Sequence, residues 1–252
     1  VKDSCLNPIE YWDVNVRGSL NLLSVMQRFN CKKLVFSSSA TIYGNSEELP
    51  MTELCPIKPM NPYGNTKATI ENFLADIHKS SPNEWNIINL RYFNPVGAHQ
   101  SGFIGENGKG TPNNLFPYIC KVAAGEIEEL KIFGNDWPTK DGTGVRDYIH
   151  IDDLADGHKK ALDLIFNENG NYRSINLGKG YGISVLEMVE MFEKVNRCKV
   201  KKTFAPRRKG DIGISYANIE KAKRVLGWHP KKSLADICKD GWRWKKLNLN
   251  SF

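Results

Sequence analysis

The 252-residue sequence has no apolar run that approaches the roughly 18 residues of a membrane-spanning helix. It has no Cys-x-x-Cys pair, and its five histidines show none of the spacings of zinc ligands. The six cysteines are scattered, which in a chain of this length is typical of reduced thiols in a cytoplasmic protein. Together these absences predict a cytoplasmic globular protein without a metal site, a disulfide framework or a membrane partner.

Acidic residues are in the minority, and the net charge is +7. Much of the excess lies between Lys194 and Lys209. Such a cluster has three interpretations: a solvated face, a nucleic-acid surface, or arginines that meet an anionic small substrate. We expect no nucleic-acid partner, and the first and third interpretations are compatible with each other.

The most informative stretch begins with Lys33-Leu-Val-Phe-Ser-Ser-Ser39. Its short apolar run predicts a strand buried on both faces. The three serines follow at the carboxyl end of that strand, where ligands bind in open α/β sheets. Small hydroxyls are therefore expected at a ligand-binding edge.

Tyr63 and Lys67 are one turn apart on a helix predicted to begin at Pro62. Alone, such a pair is more typical of a solvated helix face than of an active site. Tyr63 lies 24 residues after Ser39, which suits an active-site loop between strand and helix. A tyrosine pKa is about 10, and a neighbouring ammonium favours the phenolate. The pattern thus predicts that Lys67 lowers the pKa of a basic Tyr63 and that Ser39 shares the proton.

Elsewhere, strands and helices alternate, as in a parallel sheet. The periodicity predicts one helix from Pro8 to Asn30, in which Gly18 indicates close packing against a neighbour. A glycine-rich loop follows Ala98 and marks a change of composition. The predicted fold class is α/β, a Rossmann-type doubly wound parallel sheet with a smaller α/β lobe.

Several segments together resemble the UDP-glucose 4-epimerase family, in the extended branch of the short-chain dehydrogenase/reductase superfamily. They are Phe36-Ser-Ser-Ser-Ala-Thr-Ile-Tyr-Gly44, Pro62-Tyr-Gly-Asn-Thr-Lys67, Leu90-Arg-Tyr-Phe-Asn-Pro-Val-Gly-Ala98, Pro112-Asn-Asn-Leu115, Ile132-Phe-Gly134, Gly142-Thr-Gly-Val-Arg-Asp-Tyr-Ile-His150 and Ala205-Pro-Arg-Arg-Lys-Gly-Asp211. They cover essentially the whole chain in order.

The resemblance implies an isomerase that uses NAD to interconvert UDP-glucose and UDP-galactose through a 4-keto sugar. Its catalytic residues would be Tyr63, Lys67, Ser39 and Thr41. Its NAD-binding residues would be Asn15, Ser37, Ser38, Tyr63, Lys67 and Phe93. Its UDP-sugar residues would be Ser39, Asn94, Asn114, Leu115, Lys131, Ile132, Phe133, Arg146, Arg208, Asp211 and Ser215.

The same resemblance implies two domains and a homodimer. Residues 1–94 would be the C-terminal half of the NAD-binding domain. Residues 95–252 would bind the UDP-sugar, with about 145–178 returning towards the first sheet.

One part of the family pattern does not occur in the sequence, namely the Gly-x-x-Gly-x-x-Gly turn that holds the pyrophosphate of NAD. By analogy, we expect a longer protein in which this turn precedes Val1. On that expectation these residues alone are inactive and do not retain NAD.

Two of the implied binding roles have a purely structural alternative. Phe93 could be a core residue, and Lys131 to Phe133 could be an ordinary strand. Other functions also stay open. A nucleotide-sugar dehydratase or decarboxylase is one, although Ala40 and Ile42 flank Thr41 where such dehydratases carry acidic residues. A non-catalytic binding protein is the other.

Overall fold

A computed structural model of the chain describes residues 2–108, 110, 112, 114–208 and 210–248. Within these residues the helices are α1 (Lys2–Leu6), α2 (Pro8–Tyr11), α3 (Gly18–Arg28), α4 (Pro62–Ser80), α5 (Leu115–Ala123), α6 (Ile151–Asn167), α7 (Val185–Asn196), α8 (Glu220–Leu226) and α9 (Leu234–Leu247). The strands are β1 (Lys33–Ser39), β2 (Asn86–Tyr92), β3 (Asn94–Val96), β4 (Leu130–Phe133), β5 (Val145–Arg146), β6 (Tyr148–His150), β7 (Tyr172–Leu177), β8 (Ile183–Ser184), β9 (Lys202–Ala205) and β10 (Ile214–Ser215).

The chain divides into two compact units. Unit 1 comprises Val1–Phe93, Asp156–Leu177 and Ala217–His229. Unit 2 comprises Asn94–Ala155, Gly178–Tyr216 and Pro230–Phe252. The first boundary lies one residue before the predicted one, and the structure also assigns 217–229 to unit 1.

Unit 1 is built on a parallel sheet with the strand order β1-β2-β7. The central strand β2 is buried over almost its whole length. At the edge of the sheet, Leu34 to Phe36 of β1 are only half-buried, so the prediction of a strand buried on both faces was wrong for the described chain. The parallel α/β class itself is confirmed.

The predicted helix from Pro8 to Asn30 is not uniform. A π-helical stretch, Trp12–Arg17, joins α2 to α3 and contains Asn15. Single π turns inside α-helices are frequent at functional sites. The expectation for Gly18 was wrong, because a Cβ there would meet no other described atom within 4 Å.

The start of α4 sets the place of Tyr63. Pro62 takes the first helical position, where its missing N–H group would have no intrahelical partner. The Asn61 side chain caps this end by accepting a 2.9 Å hydrogen bond from the Gly64 N–H. These two residues make the helix begin one residue before Tyr63, as the sequence predicted.

Unit 2 contains short pairings in place of one large sheet. They are the sheet β10-β5-β8 and the parallel pairs β3-β6 and β4-β9. Its core is aromatic at the centre, where Phe192 meets Phe116 and Trp242 edge-on at centroid distances of 5.9 and 5.6 Å. Edge-to-face pairs of this kind stabilise a core beyond the apolar area they bury.

Among the described residues, no helix combines the length and the apolarity that a bilayer crossing would need.

Replacing Phe192 by Ala should lower the free energy of unfolding by about 3–5 kcal/mol, because it leaves a cavity in the core of unit 2. Phe192 is 0% exposed, whereas Phe103, which is 84% exposed, provides the matched control. Urea unfolding measures both. A Phe192→Ala loss no larger than the Phe103→Ala loss would contradict this account of the core.

Candidate active site

The centre of the site in unit 1 is formed by the end of β1 and the first turns of α4. Ser39 begins the 3₁₀ turn Ala40–Tyr43, and its hydroxyl oxygen accepts hydrogen bonds from the Thr41 N–H at 3.2 Å and the Thr41 hydroxyl at 2.9 Å. The Tyr63 side chain lies close enough to Ser39 for the Ser39 hydroxyl to lower the pKa of Tyr63. The structure therefore brings together three of the four predicted catalytic residues.

Lys67, the fourth, lies one turn after Tyr63 on α4. Its ammonium donates a 2.9 Å hydrogen bond to the backbone carbonyl of Ser37, at the end of β1. The same nitrogen is 5.7 Å from the ring centroid of Tyr63 and 5.0 Å from that of Phe36. Lys67 is thus held beside Tyr63, as predicted, without a direct bond to its hydroxyl.

Electrostatics at the site differ from the expectation for Lys67. Burial raises the pKa of Tyr63, and the hydrogen bond with Ser39 lowers it by less. Burial also lowers the pKa of Lys67. The expected lowering of the Tyr63 pKa by Lys67 is absent, because the ammonium bonds the carbonyl of Ser37 and faces the ring of Tyr63.

Asn15 is tied to the site through Thr66. Its amide donates a 3.0 Å hydrogen bond to the Thr66 hydroxyl, which in turn donates to the Tyr63 carbonyl at 2.8 Å. The ring of Tyr11 packs edge-on to that of Tyr63 at 6.4 Å. Sequence reasoning missed Thr66 and Tyr11; their positions near Tyr63 and Asn15 along the chain were the only available signal.

The remaining cofactor candidates of unit 1 have different surroundings. The Ser37 hydroxyl is 3.3 Å from Nε2 of His158. Ser38 is fully buried, and its hydroxyl donates to the carboxylate of Glu71, so this hydroxyl does not line the site. Phe93 is a buried member of a core cluster, which favours the alternative interpretation of it as a core residue. A role of Ser38 or Phe93 towards NAD stays a prediction.

In unit 2, Arg146 and Ser215 are neighbours in the sheet, because β5 pairs with β10 in the register Arg146↔Ser215. The guanidinium of Arg146 donates to the backbone carbonyls of Ile212 at 2.8 Å and Gly213 at 3.3 Å. Burial lowers the pKa of Arg146. Ser215 is buried and lies at the end of its strand.

Arg208, Asp211 and Phe133 form a second group in unit 2. The Arg208 guanidinium makes two hydrogen bonds to the Asp211 carboxylate, at 2.9 and 3.3 Å, and lies 4.8 Å from the centre of the Phe133 ring. Along β4, Ile132 is buried while Lys131 and Phe133 are exposed. An exposed aromatic ring beside an arginine can bind the planar and anionic parts of a nucleotide.

The other predicted residues of unit 2 lie on separate segments. Asn94 is exposed at the start of β3. Asn114 is exposed and precedes α5 without capping it through its side chain, and Leu115 begins that helix.

Four of the seven described basic residues of the cluster, Arg208 among them, pair with carboxylates. Ion pairs join Lys201 to Glu128, Lys202 to Glu193 and Arg207 to Asp136. Lys209 lies outside the described residues. This pairing favours the interpretation as a solvated face.

The parallel sheet, the Ser-rich strand end and the Tyr63–Lys67 helix define an extended short-chain dehydrogenase/reductase. A family model described as GDP-mannose 4,6 dehydratase matches residues 1–241. The chain is 52% identical over 252 residues to the UDP-glucose 4-epimerase of Bacillus subtilis, and the match covers 100% of this chain and 74% of that protein. The chain belongs to the UDP-glucose 4-epimerase family.

Solved structures of UDP-glucose 4-epimerases are also similar to this chain. One is a UDP-glucose 4-epimerase from Stenotrophomonas maltophila with bound NAD and formylated UDP-arabinopyranose, 45% identical, with a TM-score of 0.97 over 100% of this chain and 74% of that one. Another is the enzyme from Bifidobacterium longum in complex with NAD+ and UDP, 47% identical, with a TM-score of 0.93 over 99% of this chain and 74% of that one.

Replacing Ser39 by Ala should raise the pKa of Tyr63 further, because it removes the hydrogen bond that opposes the effect of burial. The ionisation of Tyr63 can be followed by ultraviolet difference spectroscopy, with the matching Tyr63→Phe protein subtracted. Ser80→Ala, at the far end of α4, is the control and should leave the titration unchanged. An unchanged titration in Ser39→Ala would show that Ser39 does not act on Tyr63.

Proposed function

We propose that these residues carry the NAD-dependent interconversion of UDP-glucose and UDP-galactose, an isomerisation at C4 of the sugar. The observation that carries the proposal is the placement of Tyr63 beside Ser39, close enough for Ser39 to lower its pKa, with Lys67 one turn away on α4. A tyrosine so placed can exchange a proton with a sugar hydroxyl, and Ser39 offers a second hydroxyl to the same oxygen.

The residues of unit 1 fit the nicotinamide–ribose end of NAD. A lysine ammonium has three N–H groups. Within the described part of the chain the structure shows one hydrogen bond for that of Lys67, which leaves donors for ribose hydroxyls. When bound, NAD supplies the acceptor and donor of a hydride. Ser37 and Asn15 support this end by orienting Lys67 and the first turns of α4.

Tyr63 takes the proton from the 4-hydroxyl, while Ser39 holds the 4-oxygen in place. Loss of this proton, together with transfer of the C4 hydrogen as a hydride to the NAD that the site would hold, would give a 4-keto sugar. After the sugar has turned over, the hydride would return to the opposite face of C4 and Tyr63 would return the proton to the 4-oxygen. The hydrogen bonds from Thr41 to Ser39 fix where the oxygen is held.

The residues of unit 2 bind the UDP part. Arg208 would bind the diphosphate through its planar guanidinium, and Asp211 would accept from a ribose hydroxyl. Phe133, with the backbone of Lys131 and Ile132, would hold the base. The other residues proposed to bind the UDP-sugar are Asn94, Asn114, Leu115 and Arg146.

Dehydration and decarboxylation fit less well. Ala40 and Ile42 flank Thr41 in the 3₁₀ turn, so neither neighbour supplies the acid that a dehydration would need there. Relatives about half identical to this chain carry the name of the epimerase. The intact Ser39, Tyr63 and Lys67 argue against a purely structural protein.

We also propose a homodimer and a cytoplasmic location. Large apolar side chains of α2 and α3 and the turn between them, among them Ile9, Trp12 and Leu20, are exposed, which is typical of a surface that a second protein covers. All six cysteines are free thiols, as in a reducing compartment.

Tyr63→Phe tests the proposed reaction. In an NAD-bound enzyme that contains these 252 residues, turnover should fall by at least roughly 10²–10⁴-fold, because the general base is lost. Binding of the UDP-sugar, measured by calorimetry, should change little. Tyr11→Phe is the matched control, since Tyr11 packs on Tyr63 through its ring. Near-parental turnover in Tyr63→Phe would refute the assignment.

Ser215→Tyr tests the range of sugars. In the family, the position four residues after the one matched by Asp211 borders the sugar. Because it is Ser215 here, we expect activity on UDP-N-acetylglucosamine and UDP-N-acetylgalactosamine as well. A tyrosine would fill the space for the acetyl group, so the variant should lose these substrates and keep UDP-galactose. Ser215→Ala, the control, should keep all four.

The outcome that contradicts this prediction is a parent enzyme active on UDP-galactose and inert towards both acetylated sugars. Tyr216, which follows Ser215, has its ring 3.4 Å from the position that a Cβ would take at Gly182. The Tyr216 ring therefore packs beside Gly182 in unit 2.

A further inference from the structure

Two charged residues are buried in unit 1 where the proposed reaction does not use them. Glu71 is 2% exposed and Arg91 is 5% exposed. Nε of Arg91 donates to the carboxylate of Glu71 at 3.0 and 3.2 Å, and Nη2 donates to it at 2.5 Å. Burial acts to lower the pKa of Arg91, but the bonds and charges of Glu71 and Tyr43 outweigh it and raise the pKa. Arg91 is therefore charged, and its guanidinium faces the Glu71 carboxylate at ion-pair distance.

The pair reaches the end of β1 through Ser38. The hydroxyl of Ser38, which is fully buried, donates to the carboxylate of Glu71. Ser38 and Arg91 are also register partners in the parallel sheet. Glu71 therefore fixes the residue immediately before Ser39.

The pair also reaches the 3₁₀ turn. Nη1 of Arg91 donates to the Tyr43 hydroxyl at 3.1 Å and to the Glu53 carbonyl at 3.2 Å. Tyr43 is the last residue of the turn that contains Thr41, and its hydroxyl donates to Asn176 at 2.7 Å. Arg91 thereby fixes the far end of this turn.

The third connection is α4 itself. Glu71 lies one turn after Lys67 and two turns after Tyr63 on the same helix. The Glu71–Arg91 pair thus contacts each of the three segments that carry Ser39, Thr41, Tyr63 and Lys67.

Stability alone is a weak explanation for such a pair. Two well-packed apolar side chains of similar volume often stabilise a core as well as a buried ion pair does. What a two-pronged guanidinium–carboxylate contact adds is a fixed direction and distance between the groups that carry it.

We propose that Glu71 and Arg91 are a positioning pair for the reaction, which hold α4 and the end of β1 at the separation that Tyr63, Lys67 and Ser39 require. This role rests on the proposed function, because it concerns the geometry of that reaction. A displacement of about 1 Å of a reacting group can reduce turnover on the order of 10²-fold. Loss of the pair therefore acts on turnover more than on substrate binding.

The test replaces both partners, Glu71→Leu with Arg91→Met, so that no buried charge is left unpaired. It uses the NAD-bound enzyme that contains this chain, with UDP-galactose as the substrate. We expect a melting temperature close to the parent's, a kcat reduced on the order of 10²-fold, and a KM within about twofold. The titration of Tyr63, followed spectroscopically as for Ser39→Ala, should move to higher pH because its bond with Ser39 is weakened.

A second pair of variants keeps the inference testable if that protein does not fold. Ser38→Ala and Ser174→Ala each remove a hydroxyl that contacts the Glu71 carboxylate, the one beside Ser39 and the other on β7. We expect Ser38→Ala to lower kcat by about tenfold and to shift the Tyr63 titration, and Ser174→Ala to do neither.

A folded double variant with the parental kcat and the parental Tyr63 titration would overturn the proposal. So would a Ser38→Ala enzyme that behaves like Ser174→Ala. If the parent does not interconvert UDP-galactose and UDP-glucose, the proposed function fails instead, and the Tyr63 titration in the same variants still decides whether the pair positions Tyr63.

Discussion

The parallel pairing of β1 with β2 is the constraint on which the rest of unit 1 depends. Its register sets Ser38 opposite Arg91 and Ser39 opposite Tyr92. Parallel strands need a crossover, and here that crossover contains both the loop after Ser39 and the helix α4. This one pairing therefore fixes the positions of the serines at the end of β1, of the helix α4, and of the Glu71–Arg91 ion pair. A shift of one residue would turn Ser38 away from Glu71 and bring Ser39 or Ser37 to that side.

Much of this architecture could be predicted from the sequence, because its signals are local. Pro62 and Asn61 mark the start of α4, and the apolar run before Ser37 marks β1. The helix from Pro8 was predicted as one piece, since periodicity does not distinguish a π stretch from an α-helix. The burial of β1 was overestimated, because an apolar run does not say whether its strand is central or at an edge.

The site was only partly predictable for a different reason. Glu71 and Arg91 are charged residues 20 positions apart, and sequence alone assigns such residues to the surface. Their burial depends on tertiary contacts between α4 and β2. The alternation of side chains along a strand did offer a signal for Ser38, since Ser37 and Ser39 must face the opposite side. The pKa of Tyr63 was misjudged because spacing along a helix places Lys67 near the ring without fixing where its ammonium points.

Burial has a consequence for the chemistry as well. It stabilises the neutral forms of Tyr63 and Lys67, the opposite of the charged pair that proton abstraction needs. The same exclusion of water strengthens every bond made to a charge once it forms. Thus the hydrogen bond with Ser39, which lowers the Tyr63 pKa, is worth more in this setting than it would be on a solvated helix.

The residues proposed for proton transfer and for sugar binding lie in different units, and this affects which of them can change within the family. The residues proposed to transfer the proton, Ser39, Tyr63 and Lys67, lie in unit 1, whereas Arg146 and Ser215 lie in unit 2. Removing one partner of a buried pair such as Glu71–Arg91 destabilises a protein by about 3–5 kcal/mol, so unit 1 tolerates little change there. On the proposed assignment, the choice of sugar depends on a residue of the other unit, Ser215, so it can change in the family while the residues proposed for the chemistry stay the same.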